Sequence, residues 1–358
     1  MTGMTGRIPI TDGRIERTAA DGSVRREWLE RLPKVELHLH VEGAIPHAAL
    51  WELISKYGGD PTVPGLDALP GVFRYRDFPD FIDRWLWKQS FLREAEDFEL
   101  VGAAVAAELA RRRIVYAEVF FSPADARRDG LESEDIAMAL RRGLASVSGV
   151  EVGLIADMVR DKGPIGAAAT LEEIAGVAAE AGIIGVGLGG SEQRFPPEPF
   201  AAVYRRAREF GLRTTAHAGE VAGPASVWGA IRALEVDRVD HGIRAVEDPA
   251  LVEYLAEHRL PVTVCPGSNV ATGAVGSIAS HPIRRLLDAG VLVSVATDDP
   301  AMFGLTLAGE LEALQTQLGF TDEQVRRLEL NAVESCWLPA DRRAQLRTRL
   351  VDDPNWPG

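Results

Sequence analysis

The sequence predicts a single (β/α)₈ barrel, with a helical cap inserted after the first strand. Eight short apolar runs rich in β-forming residues recur along the chain, and segments with helical periodicity separate most of them. Strands that alternate with helices indicate a parallel sheet, and nearly continuous apolar runs indicate strands buried on both faces. Eight such units over roughly 320 residues favour a closed barrel over an open doubly wound sheet.

The predicted strands, in chain order, are Val35–Leu39, Ile114–Phe121, Val150–Asp157, Ile183–Leu188, Leu212–Ala216, Arg238–Asp240, Pro261–Cys265 and Val291–Thr297. Helical patterns between them predict helices over Phe98–Arg112, Ser133–Ser146, Leu171–Ala181, Pro199–Phe210, Ser226–Leu234, Pro249–His258 and Pro282–Ala289. The Gly/Ala-rich run that opens at Gly163 predicts a loop leading into the third of these helices. Gly211 and Gly290 directly follow two of the segments, as is typical of helix ends.

The insertion after the first strand, residues 46–102, predicts a helical cap over the barrel mouth. In its aromatic-rich part, one helix face would carry positions i, i+3, i+4, i+7 and i+8, which are Phe78, Phe81, Ile82, Trp85 and Leu86. This spacing predicts an amphipathic helix with that face buried. The alternative is that the aromatic residues line a large pocket.

The barrel domain is expected over residues 25–350. Residues 1–24 are mostly polar and predict a flexible leader, whereas residues 351–358 predict a loose tail. The leader lacks the apolar core of a signal peptide, and no stretch of 18 apolar residues occurs. Only two cysteines are present, so no disulfide framework is expected and a cytoplasmic location is predicted.

The charge of the chain limits its partners. The formal net charge is -14, and such a field repels phosphate backbones and anionic membranes. We therefore expect no nucleic-acid partner and no membrane partner. A neutral or cationic small molecule fits this charge, and the oligomeric state stays open.

Unusual polar residues collect where the predicted strands end. In a barrel of this kind, functional side chains lie at the carboxyl ends of the strands. Four strand ends carry imidazoles and carboxylates, namely His38 and His40, His217 and Glu220, Asp240 and His241, and Asp298 and Asp299. The spacing therefore predicts one polar site at the barrel mouth.

His38 and His40 are two residues apart in a strand, so both side chains face the same side. Together with a third histidine and one carboxylate they would form a mixed nitrogen and oxygen site suited to zinc, with one position left for water. A divalent metal lowers the pKa of its bound water from about 15.7 towards 7, which makes hydrolysis feasible at neutral pH. Isolated histidines are more often packed core residues, but four strand ends that converge favour a metal site.

Three further residues suit the acid–base chemistry of a hydrolase. Glu220 lies three residues beyond His217, so it can reach the site without binding the metal. His241 can hold the attacking water, and Asp299 can accept a hydrogen bond from a ring N–H. For Glu220, the alternative is a carboxylate at the positive end of a helix dipole.

The motifs LPKVELHLHVEG, HAGE, DHG, CPGSNVATGAV and TDDPAMFG occur in this order. In residues and spacing they resemble the adenosine deaminase family of zinc-dependent aminohydrolases, from about Leu32 to about Arg349. The resemblance implies an enzyme that removes ammonia hydrolytically from C6 of a 6-aminopurine. It also implies one zinc ion per chain.

The resemblance further implies a role for each matching residue. Zinc would be held by His38, His40, His217 and Asp298. Glu220 would donate a proton to N1 of the purine, and His241 would orient and help to deprotonate the water. The substrate would be contacted by His40, by Glu42, by Gly190 at N3 and by Asp299 at N7.

The motifs leave the substrate open. HVEG, RVDHG and LGGSE are similar to adenine deaminases, which take a free base, whereas VAGPASVW, SNVATGAV and TDDPAMFG resemble enzymes that act on nucleosides. We expect adenosine or 2′-deoxyadenosine. The alternatives are adenine and the larger nucleoside aminodeoxyfutalosine.

Two other classes of protein compete with this interpretation. A two-metal hydrolase of the same barrel type often uses a carboxylated lysine at the end of the fourth strand, and GLGGSE offers no lysine there. A non-catalytic purine-binding relative would be expected to lose Glu220, His241 or Asp298, and all three are present.

Overall fold

A computed structural model of the chain describes residues 21–76, 78–126 and 130–356. Eight parallel strands pair in sequence order, and they are β1 Lys34–His40, β2 Ile114–Phe121, β3 Glu151–Asp157, β4 Ile183–Gly187, β5 Arg213–Ala218, β6 Arg238–His241, β7 Val262–Val264 and β8 Val293–Val295. A parallel bridge between Leu39 and Asp298 joins the last segment to the first. There the His40 amide donates to the Asp298 carbonyl at 2.9 Å. The sheet thus closes into the predicted (β/α)₈ barrel, and each predicted run overlaps a strand.

Helices surround the strands and cover the mouth. They are α1 Asp21–Arg31, α2 His47–Lys56, α3 Leu69–Val72, α4 Phe78–Gln89, α5 Ala95–Arg111, α6 Pro123–Ala126, α7 Ser133–Ala145, α8 Gly163–Ala175, α9 Ala178–Ala181, α10 Ala201–Glu209, α11 Pro224–Gly229, α12 Pro249–Glu257, α13 Pro266–Ala271, α14 Ile283–Asp288, α15 Pro300–Phe303, α16 Leu307–Leu318, α17 Asp322–Ser335 and α18 Ala340–Val351. Within the described ranges, no helix is both long enough and apolar enough to cross a membrane.

The segment between β3 and β4 differs from the sequence prediction. The predicted loop at Gly163 is the start of α8, and Pro164 occupies its first turn, where a missing amide hydrogen costs nothing. The helix ends at Ala175, and a separate turn, α9, follows. The predicted single helix is therefore two helices, and it begins eight residues before Leu171.

The cap also differs from its predicted packing. Helix α4 turns Phe81 and Trp85 towards the core, but Ile82 and Leu86 are 37% and 54% exposed. Lys88 and Gln89 are buried instead. The prediction of the buried face was therefore wrong. The face of α4 that is buried is rotated by part of a turn from the predicted one, because the long side chains of Lys88 and Gln89 reach inward. Helix α5 packs against α7 in the outer layer, so the cap itself ends with α4.

Both ends of the domain extend beyond their predicted limits. Helix α1 begins at Asp21, inside the predicted leader, and residues 1–20 lie outside the described residues. At the other end Trp356 is only 9% exposed. The Trp28 indole donates to the Asn355 carbonyl at 2.9 Å. The prediction of a loose tail was thus wrong as far as residue 356, because burial of the Trp356 ring holds the segment against the barrel.

The amino-terminal end of the barrel interior holds a buried ion pair. The Arg238 guanidinium donates to Glu118 Oε2 at 2.5 Å, and both side chains are fully buried. The Tyr116 hydroxyl donates to the other Glu118 oxygen at 3.0 Å, and Arg238 lies over the Trp337 ring, 4.3 Å from its centroid. Charges this deep in a protein persist only when they are paired and hydrogen-bonded. Arg238 and Glu118 thus form a buried polar layer in the barrel interior, below the carboxyl ends of the strands.

Helix α17 lies outside the barrel and forms hydrogen bonds with the first and last strands. The Glu329 carboxyl accepts the Val35 amide at 2.8 Å, and the Asn331 amide donates to the Val293 carbonyl at 2.8 Å. Burial raises the pKa of Glu329 to about 8 from 4.5, against the opposing effects of the Val35 hydrogen bond and of Lys34. The folded state therefore holds a proton at neutral pH that the unfolded chain releases.

This proton predicts a pH dependence of stability. Between pH 4.5 and about 8 the native state binds more protons than the unfolded state, so the free energy of unfolding falls as pH rises. Glu329→Gln keeps an acceptor for the Val35 amide and removes the titration. We expect its free energy of unfolding, relative to the parent chain, to increase by about 1–3 kcal/mol between pH 6 and pH 8 in urea titrations.

Glu334→Gln, which changes an exposed glutamate of the same helix, is the matched control. An equal pH dependence in the parent chain and in Glu329→Gln would contradict the assignment.

Candidate metal and active site

The carboxyl ends of the strands bring four of the predicted residues into contact. His38 Nε2 lies 3.2 Å from Asp298 Oδ1, and His40 Nε2 lies 3.3 Å from the same oxygen. His40 Nε2 is also 3.2 Å from His217 Nε2. All four side chains are buried. The structure therefore gathers three imidazoles and one carboxylate around one point.

This donor set fits a metal ion. Zinc–ligand bonds of 2.0 Å in a tetrahedron place neighbouring donors about 3.3 Å apart, which matches the separations above. Burial lowers the pKa of His40 to about 3 and holds that of His217 well below its usual range, so both rings are neutral at pH 7. Neutral imidazoles and an ionised carboxylate are the forms that bind a metal.

A second carboxylate orients the first histidine. Asp240, at the end of β6, places Oδ1 3.2 Å from His38 Nδ1, so His38 directs Nε2 towards Asp298. Burial alone would lower the pKa of His38, but Asp240 and Asp298 outweigh it and raise the pKa to about 10. With no metal ion bound, a proton on His38 therefore compensates the buried carboxylates of Asp240 and Asp298. A metal cation at the same place would do so as well. A carboxylate behind a ligand histidine is common in metal sites.

His241 belongs to the same cluster. It lies with His38, His217 and Asp298 in a group whose ligand atoms are all within 4.8 Å of one another. His241 and Asp298 have left-handed backbones, with φ of 63° and 66°, which is costly for residues other than glycine. Because His241 ends β6 and Asp298 lies three residues beyond β8, this turn of the backbone aims their side chains across the barrel mouth. By distance alone, five residues are possible metal ligands, namely His38, His40, His217, His241 and Asp298.

Glu220 lies beside His241 on a loop held by another carboxylate. Glu220 Oε2 is 3.8 Å from His241 Nε2, and burial raises the pKa of Glu220. The buried Glu192 carboxylate accepts four consecutive backbone amides, those of residues 219 to 222, at 2.5–3.2 Å. This cap fixes the loop that carries Glu220 beside His241.

Glu42 and Asp299 lie next to each other at the mouth. Glu42 Oε1 accepts the Ser122 amide at 2.8 Å, whereas Glu42 Oε2 and Asp299 Oδ1 are buried without a partner among the described residues. A Cβ on Gly43 would lie 1.7 Å from Asp299 Oδ1, so only glycine admits the Asp299 side chain there. Leaving these two buried oxygens without a partner costs free energy, unless a ligand supplies one.

Lys88, on the cap helix α4, places its ammonium group beside Glu42 and Asp299. Its ammonium donates to the Glu42 carbonyl, lies 3.0 Å from the Met302 sulfur and sits 4.0 Å from the centroid of the Trp85 ring. Burial lowers the pKa of Lys88 to about 8, against the opposing effects of Asp299 and Glu42. Because that value exceeds 7, Lys88 offsets part of the negative charge at the mouth.

Gly190 lies on the rim, after β4. It is exposed and adopts φ of 96°, in the left-handed region that favours glycine. A Cβ there would lie 2.3 Å from an oxygen of Asp161. The neighbouring Ser191 amide and hydroxyl both donate to that Asp161 carboxylate. The predicted contact of Gly190 with a substrate therefore stays a prediction, although its backbone requires glycine.

Several residues of the site were not found from the sequence. They are Glu192, Lys88, Asn269, His281 and Ser268, whose hydroxyl donates to Asp298 Oδ2 at 2.5 Å. Ser268 and Asn269 lie in SNVATGAV, and Glu192 ends LGGSE, so the motifs contained the signal. His281 lies outside the motifs, and a lysine inside an aromatic helix gave no signal at all.

Comparisons with known proteins agree with this geometry. Residues 33–353 match the family model described as adenosine deaminase. An adenine deaminase of Streptomyces coelicolor is 38% identical over 323 residues, which cover 89% of this chain and 94% of that protein. An aminodeoxyfutalosine deaminase of Streptomyces avermitilis is 33% identical over 344 residues, or 95% of this chain and 96% of that protein.

A solved structure resembles the whole barrel. It is an amidohydrolase from Burkhoderia ambifaria with bound zinc, at a TM-score of 0.84 and 28% identity. The similarity covers 94% of each chain. The architecture therefore accommodates a metal ion in a relative of the same size.

The geometry predicts one bound metal ion per chain. We expect purified protein to contain one equivalent of zinc by elemental analysis, and His217→Ala and Asp298→Ala to lose at least about a hundredfold in zinc affinity. Chelation should also lower the melting temperature of the parent chain, because the metal binds only the folded site. His258→Ala, which changes an exposed histidine bonded to the Tyr254 carbonyl, is the control. Unchanged zinc content in both site variants would disprove the ligand set.

Proposed function

The chain belongs to the adenosine deaminase family of hydrolytic deaminases, and on this premise we propose that its substrate is adenine. Water would replace the 6-amino group, so that adenine and water give hypoxanthine and ammonia. The observation that carries the choice of substrate is Glu42, a buried carboxylate whose second oxygen lacks a partner among the described residues. Free adenine has an N9–H donor that suits this acceptor, whereas a nucleoside has a sugar on N9.

The relatives support the free base over the nucleoside. The sequence alone favoured adenosine or 2′-deoxyadenosine, with adenine as an alternative. A relative 38% identical over most of the chain is named an adenine deaminase, which supports that alternative. Glu42 in HVEG and Asp240 in RVDHG are the residues that already resembled such enzymes.

In the proposed reaction, Glu220 handles the proton. Because its pKa is raised, its carboxyl can donate a proton to N1 while water attacks C6. One proton of the water would then pass through Glu220 to the departing amine, which leaves as ammonia, and the other would return to Glu220 as the C6 carbonyl forms. Burial raises the pKa of Asp299 well above its usual range, so its carboxyl would donate a hydrogen bond to N7 and thereby orient the ring. His241 would hold the attacking water on one face of the purine ring, next to C6.

The metal would be held by His38, His40, His217 and Asp298. When bound, it lowers the pKa of a water molecule towards neutrality and so supplies the nucleophile. The chain itself contributes the orientation of these ligands, through Asp240 behind His38 and Ser268 behind Asp298.

A larger nucleoside is the second candidate, and one relationship favours it. An aminodeoxyfutalosine deaminase is 33% identical to 95% of this chain. Such a substrate would need space beyond N9, next to Glu42 and the cap. Lys88, Trp85 and Met302 occupy that side of the mouth, which favours the smaller base.

A side-by-side assay tests the substrate. Zinc-loaded protein is offered adenine, adenosine, 2′-deoxyadenosine and aminodeoxyfutalosine, and ammonia release is followed with the matching ultraviolet change. We expect the kcat/KM for adenine to exceed that for each nucleoside by at least about a hundredfold, because a buried acceptor left unpaired costs several kcal/mol. A higher value for any nucleoside would overturn the choice of adenine and retain the reaction.

A substitution tests the proton donor. Glu220→Gln keeps the size and the hydrogen bonds of Glu220 but cannot donate a proton to N1, so we expect kcat to fall by about 10²–10⁴-fold with zinc content unchanged. Glu247→Gln, at a surface ion pair with Arg244, is the matched control and should leave kcat intact. Full activity of Glu220→Gln would exclude the assigned role.

A further inference from the structure

Behind the two proposed catalytic side chains lies a buried hydrogen-bond chain that neither the motifs nor the mechanism above uses. Asn269 follows β7 and is fully buried. Its amide nitrogen is 3.1 Å from His241 Nδ1 and 3.4 Å from Glu220 Oε1. Its amide oxygen is 3.2 Å from His281 Nε2, and His281 is buried as well. One asparagine therefore touches both catalytic groups.

The direction of every bond in this chain follows from one backbone group. The Ile283 amide, which can only donate, points at His281 Nδ1 at 3.2 Å. His281 Nδ1 is therefore an acceptor, and a neutral ring must carry its proton on Nε2. Burial lowers the pKa of His281 to about 4, so the ring is neutral at pH 7. His281 thus donates from Nε2 to the oxygen of Asn269.

The orientation of Asn269 then fixes that of His241. An amide whose oxygen accepts from His281 presents its NH₂ group to the other side, where its two hydrogens meet His241 Nδ1 and Glu220 Oε1. His241 Nδ1 must accept, because a proton there would face the proton of Asn269. A His241 ring with a single proton therefore carries it on Nε2, which faces Glu220 Oε2 at 3.8 Å.

We propose that Asn269 and His281 are positioning residues that hold His241 as its Nε2–H tautomer, so that His241 donates a hydrogen bond to the attacking water and takes no proton from it. The resemblance gave His241 a share in deprotonating the water, and this tautomer removes that share. Glu220, which accepts the other hydrogen of Asn269, is left as the group that moves protons. The proposal rests on the proposed function for the roles of His241 and Glu220.

The Nε2–H tautomer of His241 also shows which of the clustered histidines can bind a metal ion. Both nitrogens of His241 are committed, one to Asn269 and one to a proton, so neither offers a lone pair to a metal. His38 instead directs Nδ1 to Asp240 and leaves Nε2 free towards Asp298. Of the five residues that are close enough, His241 is thereby excluded as a ligand.

Nuclear magnetic resonance reads the tautomer directly. Long-range ¹H–¹⁵N spectra of the zinc-loaded protein, labelled with ¹⁵N-histidine, distinguish protonated from unprotonated ring nitrogens, and His241→Gln identifies the His241 signals. At pH 7 we expect Nδ1 of His241 to be unprotonated and Nε2 to be protonated, and the same for His281. A proton on His241 Nδ1, in the neutral or the doubly protonated ring, would overturn the proposal.

Two variants of His281 separate positioning from packing. His281→Gln keeps a side-chain N–H that can donate to Asn269, whereas His281→Leu fills similar space without a donor. We expect kcat for adenine in His281→Leu to fall roughly ten- to a hundredfold with little change in KM, as for the loss of a buried hydrogen bond, and His281→Gln to recover most of it. The Nδ1 signal of His241 should shift towards the protonated form only in His281→Leu.

Equal losses in both variants, with the His241 signals unchanged, would show that His281 only packs. If His281→Leu fails to fold, the spectrum of the parent chain still decides the tautomer. The spectrum also does not depend on turnover, so a chain that ignores adenine would refute the proposed substrate and leave this proposal intact.

Discussion

The organisation of the site depends on one buried carboxylate, Asp240. It has no access to solvent, and its charge is compensated by Arg238 below, at 3.7 Å, and by His38 above, at 3.2 Å. Glu118 in turn compensates Arg238. These charges form a column through the barrel, and removing a member would leave its neighbours buried with less compensating charge. At the top of this column, Asp240 directs His38 towards Asp298.

Strained backbone at the strand ends is offset by hydrogen bonds around it. His241 and Asp298 both adopt left-handed conformations that cost on the order of 1–2 kcal/mol each in an unconstrained chain. The Asp298 amide and carbonyl pair with β1 across the closure of the barrel, and Ser268 holds its carboxylate. His241 is held by Asn269. The strain persists because the surroundings leave these residues no alternative, and it turns the reactive atoms towards one centre.

The sequence predicted the strands well, and it predicted that His38, His40, His217 and Asp298 lie together at the barrel mouth, because both follow from local pattern. An apolar run predicts a buried strand, and HxH places His38 and His40 on one side of it. The helix face in the cap could not be predicted in the same way. The helical periodicity predicted that Ile82 and Leu86 are buried. Burial of Lys88 beside the Glu42 carbonyl instead turns helix α4 so that Ile82 and Leu86 are exposed. That choice depends on an acceptor in a distant loop, and no local pattern contains it.

The two ends of the site divide its tasks. In the proposed reaction, catalysis at C6 would depend on groups from the barrel strands and from the loops fixed to them, such as Glu220 on the loop capped by Glu192. Recognition of the far side of the purine would depend on Glu42 and on the cap residue Lys88, which contacts the Glu42 carbonyl. A change in the cap can therefore alter which aminopurine fits while the proton path through Glu220 stays intact. This separation explains how motifs for one reaction can be shared by relatives that act on a free base and on a large nucleoside.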